Sequence, residues 1–133
     1  MIKEFAHICF NVRDLDVSIG FYVNVLGLTK AFDFVRDSGE RYGVYLKIGR
    51  RSFVELFRTG EIVPADKASY RHMCLEVGDL KAVVASLRDK GVNVTDAKMG
   101  LDNSWQAWLS DPDGNRIELH EYTAASWQTP HLQ

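Results

Sequence analysis

The sequence predicts an α+β fold made of two tandem βαβββ modules, each an incomplete barrel, together forming a partly open, barrel-like mixed sheet. Three observations predict it. The segment FAHICFNVRDL at 5–15 aligns with YRHMCLEVGDL at 70–80, matching His7 with His72, Cys9 with Cys74, Asp14 with Asp79 and Leu15 with Leu80. Further on, FVELF at 53–57 aligns with RIELH at 116–120, which matches Glu55 with Glu118, and VYLKIG aligns with AWLSDP at the same offset. Finally, each copy runs through strand-like and helix-like periodicities in the same order.

The first module, 1–60, opens with IKEFAHICFNV, an alternating run rich in β-formers, read as a strand. Asp14 is a helix N-cap, and Leu15, Ile19, Tyr22, Val23 and Leu26 recur at helical spacing up to the stop at Gly27. LTKAFDFV is a second strand, RDSGER a loop, YGVYLKIG a third strand and RSFVELFR a fourth. GEIVPADKAS at 60–69 is the linker, with Pro and small polar residues. The second module, 66–123, repeats the order: strand 70–78, helix 79–90 stopped by Gly91, then strands 92–98, 104–110 and 115–122. DPDGN joins the last two as a tight turn. Residues 124–133 form a tail, from which Trp127 or His131 is placed to cover a site.

Composition narrows the function. The chain has 133 residues, 46% apolar and 26% charged, with a formal net charge of −2. That suits one compact globular domain and excludes disorder. Acids and bases are mixed along the chain, so binding to nucleic acid or to an anionic membrane is not expected. No apolar run reaches the roughly 18 residues of a membrane span, and MIKEFAHICF has no leader pattern. The two cysteines are expected to be reduced, small buried residues of a cytoplasmic protein.

Strand parity then gathers the polar groups. Ala6, Ile8, Phe10 and Val12 share one face, which the module's own helix can cover. Phe5, His7, Cys9 and Asn11 share the other, and His72 and Cys74 repeat the pattern. In the last strand of each module a carboxylate, Glu55 or Glu118, sits between apolar neighbours. Burying such a group is costly without a counter-charge or a metal. Two imidazoles and two carboxylates suit one divalent ion, Ni, Zn, Co, Mn or Fe, and leave positions open for substrate oxygens. A His2Cys2 zinc site is the rival, but it leaves both carboxylates unexplained.

AHICFNVRDLDVSIGFYVNVLGLT, FVELF, RHMCLEV and DPDGNRIELHEY resemble the vicinal oxygen chelate superfamily, which includes glyoxalase I, extradiol dioxygenases and the bleomycin and fosfomycin resistance proteins. The resemblance spans residues 3–122 and implies the glyoxalase-like fold. The His, Glu, His and Glu ligands of glyoxalase I fall on His7, Glu55, His72 and Glu118. Glu55 tilts the match toward the glyoxalase I type, since dioxygenases usually lack that carboxylate. The implied activity is a metal-dependent lyase or isomerase moving a proton beside a metal-chelated carbonyl of a small hydroxycarbonyl or hemithioacetal. Glu118 is the expected base, with Glu55 as the alternative. Arg116, His120, Asn11 and Phe57 are the expected substrate contacts. Asn11 stands where glyoxalase I carries a glutathione-binding Arg, and Arg58, Thr59 and Gly60 stand where it carries an Asn. Arg36 and Arg41 are read as a solvated loop, with binding of another acidic substrate as the alternative. The resemblance also implies a homodimer. The alternative readings are an extradiol-type dioxygenase and a non-catalytic protein that binds an antibiotic or other small molecule.

Overall fold

The computed structural model describes residues 1–132 and resolves two compact units, one from Met1 to Val63 and one from Pro64 onward. In the first unit the strands are β1 (His7–Val12), β2 (Thr29–Val35), β3 (Arg41–Lys47) and β4 (Phe53–Arg58). They form an open mixed sheet in the order β1-β4-β3-β2, with β1 parallel to β4 and the other pairs antiparallel. The second unit repeats this with β5 (Met73–Glu76), β6 (Lys98–Met99), β7 (Trp105–Ser110) and β8 (Arg116–Glu121), in the order β5-β8-β7-β6. The fold is α+β, and neither sheet closes into a barrel.

Each sheet buries the face that parity assigns to its helix. In the first unit Phe10, Val12, Val44, Leu46, Val54 and Leu56 are buried with Leu15 and Tyr22 of the helical segment. In the second, Met73, Ala107, Leu109, Ile117 and Leu119 are buried with Leu80, Val84 and Leu87 of α2 (Leu80–Asp89). Such burial stabilises by about 1.5–3 kcal/mol per large side chain.

The helix caps match the sequence. Asp14 accepts from the N–H groups of Asp16 and Val17, and Asp79 accepts from that of Ala82. Gly27 and Gly91 end their helices at φ of 78° and 77°, a conformation that costs glycine little. In the DPDGN turn, Asp111 accepts from the backbone N–H groups of Asp113 and Asn115 and from the Asn115 amide.

Three expectations change. The helix expected over 15–26 is α-helical only over Leu15–Ile19 (α1) and π-helical over Gly20–Val25, where Leu26 N–H donates to the Phe21 carbonyl. The first strand starts at His7 rather than Ile2, because its partner β4 starts at Phe53. The strand expected over 92–98 shrinks to Lys98–Met99. There the Thr95 hydroxyl accepts the Trp108 N–H and Arg88 donates to the Val94 carbonyl, so side chains replace part of the ladder.

Candidate metal centre

In the first unit, Cys9 pairs with Glu55 across β1–β4, and Tyr45 pairs with Glu55 across β3–β4. Paired residues share a face, so His7, Cys9, Tyr45 and Glu55 all lie on the face turned away from α1. His7 Nε2 stands 4.0 Å from Glu55 Oε1, and Tyr45 Oη lies 2.9 Å from His7 Nδ1. Tyr45 is itself stacked between Phe32 and Phe53, each with its ring centre 4.9 Å away.

The second unit builds the same arrangement more tightly. Cys74, Trp108, Glu118 and His120 share one face of β5, β7 and β8, and His72 stands just before β5. His72 Nε2 is 3.0 Å from Glu118 Oε2, and the His72 ring meets the Trp108 ring edge-on at 4.8 Å. Glu118 Oε1 is 3.1 Å from His120 Nδ1. Donor atoms of Cys74, Glu118 and His120 lie within 4.8 Å of one another.

The donor chemistry fits a divalent cation. The side chains of Glu55 and Glu118 are only 16% and 12% exposed. Among the described residues their ion-pair partners are imidazoles, with no lysine or arginine. A largely buried carboxylate whose ion-pair partners are imidazoles alone lacks a permanent counter-charge, which a metal ion supplies.

The cysteines depart from expectation. Both are free thiols, and both are exposed rather than buried. Crowding on the sheet face still removes water from each thiol. That desolvation, and then the hydrogen bond to Glu55, pushes Cys9 up to about 11. Desolvation, and then the charge of Glu118, pushes Cys74 up to about 12. Like charge nearby disfavours the thiolate.

The expected substrate contacts fall beside these pairs. Asn11 is exposed on the His7 face, opposite Phe57 in the β1–β4 ladder. Phe57 stacks on Tyr42 with ring centres 5.8 Å apart. Its ring lies over Gly43, where a Cβ would come within 2.5 Å of it. The Arg116 guanidinium lies 4.6 Å above the Trp108 ring centre. His120 is turned inward, 7% exposed, and its neighbours are protein groups.

Arg36 and Arg41 are paired with nearby carboxylates. Arg41 pairs with Asp16 and Asp33, Arg58 pairs with Glu40, and Arg36 pairs with Glu40 at 3.4 Å. The tail is fastened within its own unit: the Gln128 amide donates to Asp102, and the Ser126 and Ser104 hydroxyls meet at 2.8 Å. Trp127 and His131 remain exposed. Sequence reading missed Tyr45 and Asp102. The signal for Tyr45 was present, since the alignment of VYLKIG with AWLSDP sets it against Trp108.

The family model of the Glyoxalase/Bleomycin resistance protein/Dioxygenase superfamily matches residues 4–119. The chain belongs to this superfamily. Within it, the chain is 31% identical over 127 residues to the metallothiol transferase FosB of Staphylococcus epidermidis, covering 92% of this chain and 84% of FosB. It is 30% identical over 119 residues to a probable lactoylglutathione lyase of Synechocystis, covering 85% and 91%. Among solved structures of the superfamily fold, TnmS3, an antibiotic binding protein from Streptomyces, superposes with a TM-score of 0.76 at 27% identity, covering 92% and 98%. These relatives differ in activity, so the superfamily alone does not choose among them. No helix of the described residues is long and apolar enough to cross a membrane.

Proposed function

We propose that the protein is a metal-dependent lyase or isomerase of the glyoxalase I type. It moves a proton next to the carbonyl of a small hydroxycarbonyl or hemithioacetal. The observation that carries this reading is the imidazole–carboxylate pair present in both units, Glu55 included. In this proposal His7, Glu55, His72 and Glu118 hold one divalent ion (Ni, Zn, Co, Mn or Fe). The two pairs meet within one chain or through a second copy, in a cytoplasmic homodimer.

A bound ion would supply Lewis acidity, stabilising the negative charge that develops on neighbouring substrate oxygens as the proton leaves. Glu118 takes that proton and returns it to the adjacent carbon, and Glu55 is the alternative base. Asn11, Phe57 and Arg116 contact the substrate, while His120 acts from behind Glu118. With Asn11 in place of a glutathione-binding Arg, the substrate is built on another carrier or none.

The test offers nickel- or zinc-loaded protein a panel of hemithioacetals, made from a 2-oxoaldehyde and different thiols, together with small 2-hydroxycarbonyls in deuterated water. Turnover and entry of deuterium beside the carbonyl are expected, both lost in Glu118→Gln. No turnover and no exchange across the panel overturn the reading. The likeness to TnmS3, with the aromatic face around Tyr45, favours a second reading, capture of a small molecule without turnover. That reading predicts ligand binding that survives chelation.

A further inference from the structure

Glu118 is held from both sides, and the two sides differ. Its Oε2 faces His72 Nε2 at 3.0 Å, while its Oε1 faces His120 Nδ1 at 3.1 Å. His120 is 93% buried, being 7% exposed, so it cannot turn freely toward solvent or substrate. A carboxylate oxygen only accepts, so this contact calls for a proton on Nδ1. The far nitrogen, Nε2, is buried without a hydrogen-bond partner among the described residues and lies 3.7 Å from Asp102 Oδ2. Asp102 Oδ2 in turn accepts from the Gln128 amide at 2.6 Å, and Asp102 also accepts from the Ser104 N–H at 3.2 Å. The His120 ring also meets the Tyr122 ring edge-on at 4.8 Å.

The geometry points to His120 as a positioning residue for Glu118: its Nδ1–H fixes Oε1, leaving Oε2 beside His72 as the oxygen offered to a cation. The inference rests on the metal-site reading above and adds a residue that touches neither substrate nor ion. The ring is locked by Tyr122 and by burial, and Asp102 is held beside its far edge by the tail. Supporting groups of this kind orient a ligating carboxylate, and their loss typically costs about 10–100-fold in metal affinity.

The experiment titrates metal-free protein with Co²⁺ by calorimetry and records the visible spectrum of each complex. His120→Phe keeps the ring and its packing but removes the donor. His120→Asn places an amide N–H near the Nδ1 position, and His120→Gln places it near Nε2. Native-like melting by circular dichroism qualifies each variant. A loss of about 10–100-fold in Co²⁺ affinity is expected for His120→Phe and His120→Gln, with most of it restored in His120→Asn. Native affinity in His120→Phe overturns the role, as does His120→Asn binding no better than His120→Gln. If His120→Phe does not fold, the Asn-against-Gln contrast decides. A thiolate-to-cobalt charge-transfer band that vanishes in Cys74→Ser would make Cys74 a ligand beside His120 and also overturn it. Glu118→Gln separates the two levels: native affinity there overturns the metal-site reading itself. Lost affinity there with native affinity in His120→Phe overturns only the positioning role.

Discussion

His72 Nε2 stands 3.0 Å from Glu118 Oε2, a full ångström closer than His7 Nε2 stands to Glu55 Oε1. The two pairs come from matching places in the repeat, yet their surroundings differ. Glu118 has a second imidazole, His120, at its other oxygen, whereas His7 has a tyrosine hydroxyl at its other nitrogen. One unit fixes its carboxylate and the other fixes its imidazole.

Removing an imidazole tests the metal directly. His72→Ala is expected to lose bound transition metal when chelator-free protein is assayed by elemental analysis. Its affinity falls by more than the roughly 10–100-fold that a supporting group costs. Metal content equal to the native protein's would exclude His72 as a ligand.

Tyr45→Phe removes only the hydroxyl 2.9 Å from His7 Nδ1 and keeps the stacking with Phe32 and Phe53. Metal affinity is expected to fall by about tenfold, with the melting temperature nearly unchanged. A large drop in melting temperature would instead make Tyr45 a packing residue.

Gly43→Ala places a Cβ within 2.5 Å of the Phe57 ring and 3.0 Å of the Leu56 carbonyl oxygen. The ring must move, at an expected cost of about 1–3 kcal/mol, read by urea unfolding. Ring displacement is also expected to weaken substrate binding more than turnover, since Phe57 lines the face but carries no proton.

The thiols give a pH signature in metal-free protein. An ordinary cysteine titrates at 9.0, but folded Cys9 and Cys74 are raised to about 11 and about 12. The folded state therefore keeps its thiol protons longer than the unfolded chain. This contribution is complete below about pH 9 and is lost as pH climbs from 9 through 12. Urea midpoints are expected to fall across that window, and less in the Cys9→Ser, Cys74→Ser double variant. At pH 9, iodoacetamide is expected to label the native thiols far more slowly than the unfolded ones. Equal labelling rates would contradict the raised values.

The sequence by itself determined the repeat, the caps at Asp14 and Asp79, the glycine stops, the DPDGN turn, the face shared by each His and Cys, and the place of each Glu between apolar neighbours. All of these are local: caps act within a turn, and strand parity is a period-two property of the chain. Tertiary structure decided the rest. The loss of ladder over 92–97, the Tyr45 hydroxyl on His7 and the burial of His120 beside Asp102 depend on partners far along the chain. Register sets which strand neighbours share a face, but only packing decides which nitrogen of an imidazole meets which oxygen. Periodicity could therefore nominate Glu118 as a ligand but could not show that its other oxygen was already engaged.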